Sequence, residues 1–119
     1  AELWARYEIR IAALDNPDYK VDEVKENYDP LAFARMQNFY MAHNCFLDEG
    51  QLLRGAGRLR DVPVVIVNGR YDVVCPPITA YRLHEALPQS KLVLAEGSGH
   101  WMGEPAIERA LIEAIRSFE

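Results

Sequence analysis

The sequence is poor in cysteine, serine and long apolar runs, and each shortage excludes something. Cys45 and Cys75 are its only cysteines, too few for a disulfide scaffold and without metal-ligand spacing. No metal site and no organic cofactor are expected, and a reducing, cytoplasmic setting is the default. No apolar run approaches the ~20 residues that a membrane-spanning helix needs, so no membrane partner is expected. Basic residues number 13 against 18 acidic ones, a formal charge of −5. Nucleic acid needs a clustered positive patch, so it is not an expected partner either. Ser90, Ser98 and Ser117 are the only serines, and none stands in a Gly-x-Ser-x-Gly elbow. What remains is 119 residues, half of them apolar or aromatic and about a quarter charged. That is one soluble domain able to bury a real core.

The first half reads as helices. Trp4, Tyr7, Ile11 and Leu14 recur at helical spacing and mark one face. Asp15-Asn16-Pro17-Asp18 ends that helix, and a polar stretch follows from Tyr19 to Asn27, its Asp22-Glu23-Lys25-Glu26 run a solvated face. Asp29 caps the next helix with Pro30 at its first position, and Phe33, Met36 and Tyr40 form its apolar stripe. Residues 51–60 suggest a short helix loosened by Gly55 and Gly57.

The second half changes period. Residues 62–67, Val-Pro-Val-Val-Ile-Val, are a continuous β-branched run, the mark of a strand covered on both faces, with Pro63 tolerable only near its start. Asn68 to Asp72 form its exit loop, Pro76-Pro77 opens a helix, and residues 92–95 are a second strand. Gly97-Ser98-Gly99-His100 leaves that strand, and a last amphipathic helix covers about 104–118. The order β-α-β-α implies two parallel strands joined by a right-handed crossover. Two such strands make no self-sufficient sheet, and Ala1 opens in sequence that already reads as mid-helix. A piece of a longer α/β protein is therefore expected, its other strands upstream.

Ligands of parallel α/β sheets sit beyond the carboxyl ends of the strands. Asp72 lies five residues after Val67 and His100 five after Ala95, so neighbouring strands would bring both to one edge. A carboxylate accepting from an imidazole N–H fixes its tautomer, the supporting half of a nucleophile–His–Asp triad. Taken singly, Asp72 also reads as a turn-former and His100 as an exposed bystander. Glu8 borders the apolar face of its helix, where a carboxylate needs a cation or donors, or else swings out to solvent or pairs with a base such as Arg35.

These residues resemble a known family. Asn68-Gly69-Arg70-Tyr71-Asp72, Cys75, Gly97-Ser98-Gly99-His100 and Glu104-Pro105 are similar to the carboxyl-terminal third of proline iminopeptidases, serine peptidases of the α/β-hydrolase fold. Trp4 to Glu8 resembles the family's Trp-x-x-x-Glu helix, residues 31–40 its Ala-Arg-Ile-Glu-Asn-His-Tyr helix, and Gln51 to Arg54 matches as well. The resemblance implies a C-terminal fragment of an α/β-hydrolase: residues 1–50 end the helical cap, and residues 51–119 are the last two βα units. It implies Asp72 as triad acid and His100 as general base of an enzyme that releases amino-terminal proline from peptides. The nucleophile and oxyanion hole would lie upstream, so the chain alone should be inactive. Glu8 corresponds to one of two cap glutamates that receive the proline nitrogen. Gln37 stands at the second, where an amide still accepts from the ammonium but contributes no charge. Tyr40 completes the expected substrate-binding set, with cap packing as its simpler account. Cys75 lies near the site, more readily a small apolar residue than a catalytic one.

Three readings follow. The first is the aminopeptidase fragment. The second is another α/β-hydrolase, whether amidase, esterase or epoxide hydrolase. The third is a natural non-catalytic chain that binds a partner, and it would dimerise through the strand edge left open at residues 62–67.

Overall fold

Helix formation at the amino end follows small residues more than large ones. In the computed structural model, which describes residues 1–14 and 29–119, α1 runs Glu2–Ala12. Its inward face is Ala5, Ile9 and Ala12, while Trp4, Tyr7 and Leu14 stay exposed or nearly so. The face expected from the large apolar residues is thus corrected. Alanines allow the close approach that the 97–104 loop makes to the end of this helix. The turn expected at 15–18 and the polar stretch to 27 lie outside the described residues.

Helix α2, Pro30–Ala42, begins as its sequence dictates. Asp29 Oδ1 accepts from the Leu31 N–H at 2.8 Å, and Pro30 occupies the first turn, where a missing N–H costs nothing. The chain leaves α2 through Asn44, Cys45 and Phe46, at φ of 49°, 54° and 58°. Three successive left-handed residues without a glycine cost roughly 1–2 kcal/mol each. Phe46 gains by them a ring stack on His43 at 5.3 Å and an edge-on contact with Tyr40 at 5.3 Å. Residues 51–60 form α3, Gln51–Gly55, and then a tighter 3₁₀ turn, Ala56–Leu59.

The remainder is a parallel pair, β1 (Val65–Gly69) and β2 (Lys91–Ala95), joined by α4 (Pro77–Ala86) and followed by α5 (Pro105–Arg116). Register runs from Val65 opposite Lys91 to Gly69 opposite Ala95. Strand β1 begins after Pro63 and extends two residues further than the apolar run, through Asn68 and Gly69. Helices α4 and α5 each pack on both strands. Ile107, Ala110, Leu111 and Ala114 supply the inward stripe of α5 at spacings of three, one and three. Apart from exposed Lys91, the strands are half-buried and become fully buried at Gly69 and Ala95. Both carboxyl ends point to the same edge.

Candidate active site

Past β1, backbone hydrogen bonds carry the chain straight into the loop leaving β2. The Arg70 N–H donates to the Ala95 carbonyl at 3.0 Å and the Tyr71 N–H to the Ser98 carbonyl at 2.9 Å. A Cβ on Gly69 would lie 1.8 Å from the Gly99 carbonyl oxygen. Only glycine permits that crossing. Asp72 follows, buried, and divides its two oxygens. Oδ1 accepts from the N–H groups of Val74 at 2.9 Å and Cys75 at 2.8 Å, while Oδ2 faces His100 Nδ1 at 2.9 Å. The turn-forming role and the partnership with histidine thus coexist, one on each oxygen.

His100 is presented by a loop with a left-handed Gly97 at φ 66° and buried Ser98 and Gly99. Its side chain is 40% exposed against 5% for Asp72, so the pair is anchored at the carboxylate and open at the imidazole. With Nδ1 turned to a carboxylate, which only accepts when ionised, the proton sits on Nδ1 and Nε2 is left as the acceptor. Such an imidazole can take a proton from a nucleophile and return it to a leaving group.

His100 opens onto a cleft of about 690 Å³, whose walls include Glu8, Phe33, Gln37, Val74 and Trp101. Glu8 and Gln37 face each other from α1 and α2, with Gln37 Nε2 donating to Glu8 Oε2 at 2.8 Å. The Trp4 indole N–H donates to Gln37 Oε1 at 2.7 Å. An indole nitrogen only donates, so it fixes which way the amide points. Within the protein the Gln37 oxygen accepts from Trp4 and its NH₂ steadies the Glu8 carboxylate, which leaves the second lone pair of that oxygen for any ligand donor.

Tyr40 is not brought to this cleft. It lies edge-on against Phe46, with Phe39 at 6.5 Å, in the aromatic group that closes α2. One helical turn beyond Gln37, its ring is captured by the left-handed turn. Cys75 stays near Asp72 and is exposed as a residue, while partial desolvation of its sulfur, reinforced by the Asp72 charge, pushes its thiol up from the usual value. That disfavours a thiolate, the form a nucleophile needs. Among the described residues no three His, Cys, Asp or Glu side chains gather as a metal set, and no helix is long and apolar enough to cross a membrane.

Two participants carry little signal in the sequence. Trp4 reads as part of an apolar helix face and Glu104 as the start of the last helix, and though both fall in the motifs of the resemblance, no role is legible for either. Instead Glu104 is 1% exposed and reaches back to Gly99 and Leu14. A local hint is a carboxylate four residues past His100 inside an otherwise apolar and small stretch.

Comparison with known proteins gives a consistent setting. The family described as TAP-like protein, a group of α/β-hydrolases, matches residues 48–118. The proline iminopeptidase of Xanthomonas citri is 40% identical over 119 residues, covering 99% of this chain and 38% of that protein. The probable proline iminopeptidase of Leptolyngbya boryana is 46% identical over 88 residues, 73% of this chain and 27% of its own length. The proline iminopeptidase of Arabidopsis thaliana is 34% identical over 115 residues, 96% of this chain and 30% of its own. The chain thus spans well under half the length of the curated relatives it matches.

Proposed function

The chain belongs to the TAP-like protein family of α/β-hydrolases, and from that premise we propose that it supplies the acid, the base and part of the substrate cap of a serine aminopeptidase releasing amino-terminal proline. The observation that carries this reading is the 2.9 Å contact between buried Asp72 and half-open His100 at a cleft that also contains Glu8. In this reading residues 1–50 end the cap and residues 51–119 belong to the catalytic core.

The reaction is acyl transfer. A serine outside these 119 residues attacks the carbonyl of the Pro–X bond while His100 Nε2 takes its proton. The same proton then passes to the departing amine, and water repeats the cycle to free proline. Asp72 holds the imidazole tautomer and stabilises the imidazolium. Glu8, held on one oxygen by Gln37, receives the protonated ring nitrogen on the other. With an amide at position 37, Glu8 supplies the charge-assisted bond of that pair to a charged amino terminus. Two free cysteines fit a reducing compartment, and the cytoplasm is the setting we assign.

The 119 residues by themselves hydrolyse nothing, and expressed alone they pair through their half-buried strands, which light scattering would register. The deciding experiment uses the complete enzyme: a fluorophosphonate probe should label one serine, and proline arylamides should turn over. Absence of both labelling and turnover overturns the reading.

A further inference from the structure

We propose that Glu104 is a positioning residue that fastens the His100 loop to the end of α1, so that the helix bearing Glu8 also sets the place of the base. The inference rests on the acid–base reading of Asp72 and His100 given above. The last carbonyls of any helix lack intrahelical partners. At the end of α1 the Ala12 carbonyl accepts from the N–H of His100 at 2.8 Å and of Trp101 at 2.9 Å. The preceding N–H in the loop, that of Gly99, donates to Glu104 Oε2 at 2.5 Å. The Leu14 N–H, just beyond α1, donates to Glu104 Oε1 at 2.5 Å. Three successive N–H groups around the histidine therefore all return to one helix terminus, two directly and one through Glu104. Of the groups in this clamp only Glu104 acts through its side chain.

Helix α1 carries Glu8 one turn before Ala12. A ligand amine gripped by Glu8 and an imidazole held through Ala12 and Glu104 are thus tied to the same rigid rod, and the distance between them is set by helix geometry. An enzyme that removes one residue from an amino terminus needs such a fixed span. Displacing a reacting group by about 1 Å costs on the order of 100-fold in rate.

The chemistry of the clamp names its own test. Two N–H donors face two oxygens, and a glutamine of the same shape offers one oxygen and one NH₂, leaving a donor facing a donor. Glu104→Gln should release one side of the clamp while filling the same space. Gly99→Ala disturbs the contact from the other side. Its Cβ would meet the Ala12 oxygen at 3.0 Å and the Leu14 nitrogen at 3.3 Å, pushing the loop off the helix by tenths of an ångström. In the complete enzyme each variant is measured for kcat and KM on a proline arylamide. The low-field proton resonance of His100 Nδ1 against Asp72 is recorded alongside, with thermal unfolding as the check of folding. The expected result is a fall in kcat at little-changed KM, about 100-fold for Glu104→Gln and about tenfold for the smaller displacement of Gly99→Ala, with the resonance lost or broadened. Either folded variant keeping both its kcat and its resonance overturns the proposal, as does a lost kcat with an intact resonance. Should Glu104→Gln fail to fold, Gly99→Ala decides alone. If the parent enzyme proves inactive on proline substrates, the substrate reading fails, and the resonance still tests the clamp.

Discussion

The two ends of the cleft are built by different means. At the acid–base end, main-chain groups take part in every holding contact: Val74 and Cys75 fix Asp72, Ala12 and Glu104 fix the His100 loop, and two loops cross where Gly69 leaves room for the Gly99 carbonyl. At the amine end, side chains hold side chains, in the series Trp4, Gln37, Glu8 between two helices. Every contact of the first series has a main-chain group on at least one side, and Glu104 is the side chain that ties its loop to α1, whereas both sides of every link in the second series are open to substitution. The acid–base end therefore leans on the fold, and the amine end on choice of residue.

That contrast can be broken most severely at Asp72. In the complete enzyme Asp72→Asn should lower kcat by about 10⁴-fold, since the amide cannot hold the same tautomer, with the fold retained. Single-turnover kinetics read this, and a loss below tenfold would remove Asp72 from the site. Next comes Gly69→Ala, which forces a methyl into the space of the Gly99 carbonyl. Overpacking of that kind costs about 1–3 kcal/mol or more, and chemical denaturation should record at least that loss. An unchanged midpoint would mean the loops are not locked together.

The amine end should respond in KM instead. Glu8→Gln removes a charge-assisted bond of about 1.5–3 kcal/mol, so KM for an amino-terminal proline substrate should rise roughly 10- to 100-fold while kcat moves less. Trp4→Phe frees the Gln37 amide to turn, at about 1 kcal/mol and hence roughly fivefold in KM. Equal falls in kcat and kcat/KM for either variant would erase the distinction between the two ends. The smallest effect is at Cys75. Its raised thiol should leave alkylation slow at neutral pH, with the rise in rate displaced to higher pH than for an ordinary thiol. Asp72→Asn deletes the repelling charge, the lesser of two causes, and should bring the onset to lower pH without restoring the ordinary value.

Much of the acid–base end is legible in the sequence, because parallel strands and their exit loops are local patterns. Asp72 and His100 each stand a few residues past a β-branched or apolar run, and parallel register carries them to one edge. The exact end of β1 is not, since only pairing of Gly69 with Ala95 shows that Asn68 and Gly69 belong to the strand. The clamp at Glu104 is hidden for a plainer reason: its partner Leu14 lies 90 residues away. Gln37 is correctly turned to the cleft by helical spacing, but spacing says nothing of amide polarity, which Trp4 fixes from 33 residues upstream. Tyr40 shares the helix of Gln37, and what removes it is the left-handed turn at 44–46, which no local propensity would suggest. In α1, size misleads. Trp4, Tyr7 and Leu14 mark an exposed face, and Ile9 with the alanines marks the packed one.

The two indoles of this chain both stand at the cleft, Trp101 in its wall and Trp4 one hydrogen bond behind Gln37. Their emission depends on the polarity and hydrogen bonding around each ring. Filling or emptying the cleft should therefore shift the colour and intensity of the light they give, and the chain comes with its own optical gauge of occupancy.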